Sequence, residues 1–477
     1  MKDSVVIAHG LVVNADGRRH AHVLIRGGLI ERVIDASEPV PAAERMIDAS
    51  GKLVIPGGVD GHCHIAQRTG RYDTVDDYAT TTSAALAGGT TTVLDFGIPA
   101  DASQSLLEAA EYKLSLLDQA RCDVALHASV IEWDETVPAQ LDALVDRGIR
   151  SVKLYTTNRG TTMADGDTMI KVLREMARID GLAYVHAEHD PMIVDCTSRH
   201  AEAGQIGIEH LPATRPELAE EASVREVLDM AEYTGAAVYF VHQSTPGAVD
   251  LVSAARERGL PIHSETCPHY VALNDEVYAG ELPEFYACCP PMRDKATMLA
   301  LRQRLTDGAI DTVASDHSAY NLSQKRERLD DLRMMPHGLP GVETRLPVTY
   351  THMVGEDLSG LEKFVSVFAT APARLNGLVG KGSIAPGFDA DLVLIDPAKM
   401  RAVDGTALRM GTDFSPFEGM ELRGWPETVL SGGTVVLDAE GFTDPGAVGR
   451  LLPQARYSEA VNWPPLGQPH SAALTAH

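Results

Sequence analysis

Between residues 62 and 318 the chain carries eight short apolar runs of β-strand character, at 62–65, 91–96, 123–130, 151–155, 182–188, 236–244, 261–268 and 312–318. Helix-compatible stretches separate most of them. Several of those stretches end in glycine, as at Gly148 and Gly235, where the left-handed conformation that stops a helix costs least. Parallel neighbours need a crossover, so eight buried strands alternating with helices point to an α/β fold of the (β/α)8 barrel type, not an open doubly wound sheet.

The two ends read differently. Runs at 5–7, 11–13, 23–25 and 32–34 are punctuated by turn signals at 14–17 and at Gly27-Gly28, and a similar texture returns at 391–395 and 434–437. Both ends are therefore expected to build one small β-sandwich domain, residues 1–55 plus 376–445, beside a barrel of residues 56–375. Residues 446–477 hold Pro453, Pro464, Pro465 and Pro469. Such a tail cannot form a long regular helix, and it is expected to pack along a surface, that of a neighbouring subunit by preference.

The 477 residues suffice for a large barrel with an appendage, and 44% hydrophobic against 23% charged residues is a globular balance. With 41 Lys and Arg against 67 Asp and Glu, the net charge of −26 argues against nucleic-acid and anionic-membrane partners. No run of about 18 apolar residues occurs, and the N-terminus lacks a signal-peptide core, so a cytoplasmic protein is expected. Cys63, Cys122, Cys196, Cys267, Cys288 and Cys289 have no CxxC spacing and read as reduced, packed thiols.

The strongest local signal is Pro56-Gly57-Gly58-Val59-Asp60-Gly61-His62-Cys63-His64. Residues i and i+2 of a strand share a face, so His62 and His64 project together, as a pair of ligands for Zn2+ or a similar ion would. Alone, the pair is as readily two unrelated polar residues. Four further strand ends, however, deliver Lys153, His186, His242 and Asp316. With the histidine pair they occupy strands one, four, five, six and eight, at the carboxyl ends where barrels place active sites. Packing does not explain five such coincidences, because unpaired polar groups are costly to bury. Lys153 as an ammonium would repel cations. Its neutral amine, reacting with CO2, gives a carbamate (N6-carboxylysine) whose two oxygens can bridge two metal ions.

These residues resemble the amidohydrolase superfamily and, within it, the cyclic amidases: dihydropyrimidinases, hydantoinases, allantoinases and, more distantly, dihydroorotases. Further matching text is Gly89-Thr90-Thr91-Thr92-Val93, Glu265-Thr266-Cys267-Pro268-His269-Tyr270, Pro290-Pro291-Met292-Arg293, Ser315-Asp316-His317, the run from Gly338 to Arg345 and the run from Lys381 to Val393. The resemblance implies that His62, His64, carboxylated Lys153 and Asp316 hold one divalent ion, and that Lys153, His186 and His242 hold a second. It implies Zn2+ for both, a bridging hydroxide as nucleophile, and Asp316 as the acid/base that moves its proton to the leaving ring nitrogen. The substrate would be a small cyclic amide, opened to an N-carbamoyl acid, and the assembly a homotetramer or homodimer.

The chain also departs from the pattern. Asn158 stands where hydantoinases carry an oxyanion-stabilising tyrosine, and Tyr155, on the lysine's face, is the candidate replacement. Cys289 replaces a serine and His337 an asparagine at positions that meet the ring through backbone groups. Dihydropyrimidine or hydantoin rings are the leading substrates, with allantoin the alternative. A dihydroorotase would use an arginine soon after the histidine pair, for which Arg68 and Arg71 are the candidates. A non-catalytic scaffold of the same family is disfavoured by the complete ligand set.

Overall fold

A computed structural model describes residues 4–463 except Gly70 and Ala102. Its centre is an eight-stranded parallel sheet: β1 (Gly58–Cys63), β2 (Thr90–Gly97), β3 (Asp123–Ser129), β4 (Ser151–Tyr155), β5 (Leu182–His186), β6 (Ala237–Phe240), β7 (Ile262–Thr266) and β8 (Thr312–Val313). Neighbours in sequence are neighbours in space. The ring closes where Cys63 bridges to His317 and the His64 amide donates to the His317 carbonyl at 2.7 Å. The fold is the (β/α)8 barrel that the strand count implied.

Alternation along each strand sorts the side chains. Val152, Leu154, Val185, Val238 and Phe240 pack outward with the helices. Inward, Phe96, His127, Tyr184 and Tyr239 fill the barrel, with the Tyr184 and Tyr239 rings 4.1 Å apart. Lys153, Tyr155 and His186 share this inward parity, at the carboxyl end. Helix Val137–Asp146 stops just before Gly148 (φ +81°), and helix Glu217–Thr234 at Gly235 (φ +73°).

Two strands are shorter than the sequence suggests. The run at 236–244 leaves the sheet after Phe240, and that at 312–318 after Val313. Beyond these ends the backbone turns left-handed at His242 (φ +39°) and Asp316 (φ +48°), while single bonds persist, Gln243 donating to the Glu265 carbonyl at 2.8 Å and His317 accepting from His64.

Strands from both chain ends hydrogen-bond into one nine-stranded mixed sheet. Its seam pairs Leu53–Pro56 antiparallel with Leu392–Ile395. Gly27 and Gly28, both at positive φ, form the two-residue hairpin turn that joins Gly17–Arg26 to Leu29–Asp35. Val54, Leu392 and Leu394 point into this sheet's own core with Val23 and Ile25. Leu53, Ile55, Val393 and Ile395 join the barrel-side core.

The tail, through residue 463, docks on the barrel of its own chain. Leu452 donates to the Val124 carbonyl at 2.8 Å, Gln454 Oε1 accepts from the Arg150 amide at 2.6 Å, and Tyr457 donates to the Asp180 carbonyl at 2.9 Å. A short helix, Tyr457–Val461, seats Tyr457 and Val461 under Leu182 and Ala237. It therefore covers the amino-end floor of the barrel, opposite the catalytic-residue candidates. Pro464, Pro465 and Pro469 lie outside the described residues. Among the described residues no helix is long and apolar enough to cross a membrane.

Candidate active site

At the carboxyl mouth, Nε2 of His62, Nε2 of His64 and Oδ1 of Asp316 form a triangle with sides of 3.2, 3.2 and 3.3 Å. Donors sharing one ion at about 2.1 Å stand about 3 Å apart, so this triangle has the spacing of ligands around a single cation. The far nitrogens are occupied. His62 Nδ1 donates to Glu265 Oε1 at 2.9 Å and His64 Nδ1 to Gln67 Oε1 at 2.7 Å, which leaves both Nε2 lone pairs free to face inward.

A second pair stands beside it. His186 Nδ1 and His242 Nε2 are 2.8 Å apart, and His186 Nε2 donates to Glu188 Oε2 at 2.7 Å. The His62 and His242 ring centroids are 5.5 Å apart, so the two groups adjoin. Burial pushes the pKa of both His62 and His242 well below the ordinary value, which keeps these imidazoles neutral and able to donate a lone pair. Glu265 serves both groups: it also accepts from the His242 amide at 2.9 Å and from Tyr239 Oη at 2.7 Å. Burial lifts its carboxyl pKa to about 8, against the pull of these donors.

Lys153 is 1% exposed and its Nζ has no hydrogen-bond partner. The amine lies 5.1 Å from the Phe96 ring centroid and 5.2 Å from that of Tyr155, and burial lowers its pKa to about 8. An ammonium buried without an acceptor is expensive, so this position favours the neutral, nucleophilic amine.

The four proposed substrate contacts separate into two groups. Tyr155 is at the cluster, its ring 5.6 Å from that of His186. Asn158 is not: it is exposed and left-handed (φ +70°), and its amide turns toward Thr162 Oγ1 at 3.4 Å. Cys289 and His337, 48 residues apart in sequence, touch each other, with Sγ 2.7 Å from Nδ1. Burial raises the thiol pKa to about 12 and lowers the imidazole pKa to about 4. The pair is thus neutral: the thiol donates to Nδ1, and His337 Nε2 donates to the Leu332 carbonyl at 2.9 Å. Arg68 and Arg71, the arginines a dihydroorotase would draw on, are exposed and lie beside carboxylates of the chain itself, Arg68 loosely beside Asp73 and Arg71 paired with exposed Glu327.

Several site residues were not singled out as such from the sequence. Glu265 and His269 stood only as motif text, and Gln67 only in the loop after the histidine pair. Glu188 had a usable signal, since it follows His186 by two positions in an extended segment. Arg215, which pairs with Glu188, gave none. His269 Nε2 is buried without a partner, and burial lowers its pKa to about 4.

Residues 53–436 match the model described as the Amidohydrolase family, and the chain belongs to that family. Within it, the chain is 34% identical to the D-hydantoinase of Ralstonia pickettii over 462 residues, covering 95% of this chain and all of the relative. It is 33% identical to the D-hydantoinase of Streptomyces coelicolor over 465 residues, 95% of this chain and 99% of the relative. The solved dihydropyrimidinase of Brevibacillus agri superposes with a TM-score of 0.91 at 31% identity, over 95% of this chain and 99% of that one.

Proposed function

We propose that this protein hydrolyses the ring amide of hydantoins or dihydropyrimidines, giving N-carbamoyl amino acids, at a centre of two divalent ions. The observation that carries the metal centre is the orphaned Lys153 amine, buried between two converging sets of ligand atoms. His62, His64 and Asp316 would hold one ion, His186 and His242 the other. Lys153, carboxylated on Nζ by CO2 with loss of a proton, would give an oxygen to each. Zn2+ suits this nitrogen and oxygen donor set. Two such ions would supply ionised water near neutral pH and polarise the ring carbonyl.

The chain's own groups do the rest. As the new C–O bond forms and the ring C–N bond breaks, the Asp316 carboxylate takes the proton from water and delivers it to the leaving nitrogen. Tyr155, in place of Asn158, donates its hydroxyl to the developing oxyanion. The loops stitched by Cys289 and His337 present backbone groups to the ring. A cytoplasmic location and a homotetrameric or homodimeric assembly belong to the same proposal, and the six free cysteines favour a reducing compartment.

The test is a ring-opening assay of protein prepared with zinc and bicarbonate, against dihydrouracil, dihydrothymine, 5-substituted hydantoins, allantoin and dihydroorotate. Opening of hydantoins or dihydropyrimidines is expected. Opening of allantoin alone would reassign the substrate, and inertness toward every ring in a two-metal preparation would overturn the proposal.

A further inference from the structure

His62 and His64 are each oriented by one acceptor on the far nitrogen, but His186 is held by something larger. Its acceptor, Glu188, is fully buried and receives Arg215 through two guanidinium nitrogens, Nε to Oε1 at 3.0 Å and Nη2 to Oε2 at 2.5 Å. Arg215 comes from a segment about thirty residues downstream of β5 and is itself 9% exposed. Its carbonyl accepts from Arg293 Nη1 at 2.5 Å. Arg293 also donates to Ser244 Oγ at 2.9 Å and stands 3.4 Å from Glu220 Oε2, while Ser244 donates its amide to Glu220 Oε1 at 2.9 Å. Ser244 is two residues beyond His242. One buried network of two arginines and two glutamates therefore runs from the His186 ring to the loop that carries His242.

A buried carboxylate with one guanidinium and one imidazole on it has a fixed sense of hydrogen bonding. Arg215 has only protons to give, so Glu188 must accept, and the proton between Glu188 and His186 sits on Nε2. That leaves His186 Nδ1 as the lone pair turned toward His242 Nε2, 2.8 Å away. Nothing local imposes this choice. Without an acceptor at Nε2 the ring would be free to hold its proton on Nδ1, between the two histidines, where a cation is to bind.

We propose that Glu188 and Arg215 are a positioning pair that sets the tautomer and direction of His186, and so fixes the affinity of the second half-site for a divalent ion. This rests on the reading of His186 and His242 as ligands of the second ion. Their action passes through His186.

The experiment is titration of Zn2+ and Co2+ into metal-free, bicarbonate-equilibrated protein, followed by calorimetry and by elemental analysis after desalting. Single removal of either partner leaves a buried unpaired charge and risks misfolding, so the decisive variant is E188L/R215M, which removes both charges at once. The parent is expected to bind two ions per chain. The double variant is expected to melt near the parent while binding the second ion about 10- to 100-fold more weakly and the first ion unchanged. E188D, which keeps an acceptor, is expected to recover part of the lost affinity. A double variant that binds both ions with parental affinity would overturn the positioning role while leaving the binuclear reading intact. A parent that takes up only one ion would overturn the binuclear reading, and the positioning role with it.

Discussion

Three of the four lysines buried among the described residues sit in three electrostatic settings, and the two at opposite ends of the barrel differ most. At the mouth, Lys153 has no hydrogen-bond partner and a pKa lowered by burial to about 8. At the floor, Lys381 is as well hidden but lies 2.7, 2.8 and 2.6 Å from Asp123, Asp389 and Asp391, and Arg450 adds a second cation on Asp123 and Asp389. Burial alone would lower the pKa of Lys381. The three aspartates outweigh it and raise it. Lys325 donates to the Ala287 and Pro336 carbonyls at 3.1 and 3.4 Å, yet burial takes its pKa to about 7, below that of Lys153, which the Asp316 and Glu265 carboxyls hold up. The paired lysine welds the return of the chain and its tail onto the barrel floor. The unpaired one is where polar satisfaction has been withheld, which is expected of a group that must react.

Breaking the mouth lysine should have the largest effect on activity and the smallest on stability. Lys153→Ala is expected to lower turnover by about 10⁴-fold, with bound metal lost and partial recovery on adding short carboxylic acids. Compared as metal-free proteins, its melting temperature should equal or exceed the parent's, because an unsatisfied buried amine is removed. Asp316→Asn, tested by steady-state kinetics on the opened ring, is expected to lower kcat by about 10³-fold with little change in KM. Lys381→Met should invert the pattern. Leaving three aspartates beside Arg450 alone is expected to cost about 3–5 kcal/mol in denaturant unfolding, while the activity per folded molecule stays parental.

Lys325 sharpens the comparison through pH. Its pKa in the folded protein lies below the ordinary 10.5, so between about pH 7 and 10.5 the unfolded chain binds the extra proton and folding gains as pH rises. The groups facing it are Cys288, Cys289 and Glu284, with the Phe414 ring on its other side. Stability of the parent relative to Lys325→Met is therefore expected to climb over that window by at most about 1.4 kcal/mol per pH unit, and to be flat below pH 7. A flat difference throughout would mean that the two carbonyls hold the ammonium at least as firmly as water does.

The barrel strands and their ligand-type ends were legible because both are local. Period-two alternation put Lys153 and Tyr155 on one face, and glycine marked the helix ends. The sequence missed what depends on chain segments meeting. Sequence left open whether Asn158, at the usual tyrosine position, or Tyr155, on the lysine's face, meets the ring; the left-handed turn at Asn158 sends its side chain to Thr162 instead of the cluster. The left-handed turns at His242 and Asp316, past the ends of β6 and β8, are a conformation that no residue type announces. Arg215 looks like any surface arginine until helix Glu217–Thr234 and the loops around it bring it to Glu188.

By itself, the sequence determined the architecture and most of the ligand-type residues that cluster at the barrel mouth, since hydrophobic period and residue chemistry are properties of short windows. Tertiary structure decided which polar groups are satisfied. Lys153, Lys325 and Lys381 are the same side chain, and what separates them is whether other segments supply nothing, two carbonyls or three carboxylates. In a low-dielectric interior the carboxylates keep Lys381 charged against burial, whereas Lys153 and Lys325, without a carboxylate in contact, lose their protons more readily, and Lys153 alone is also left without an acceptor.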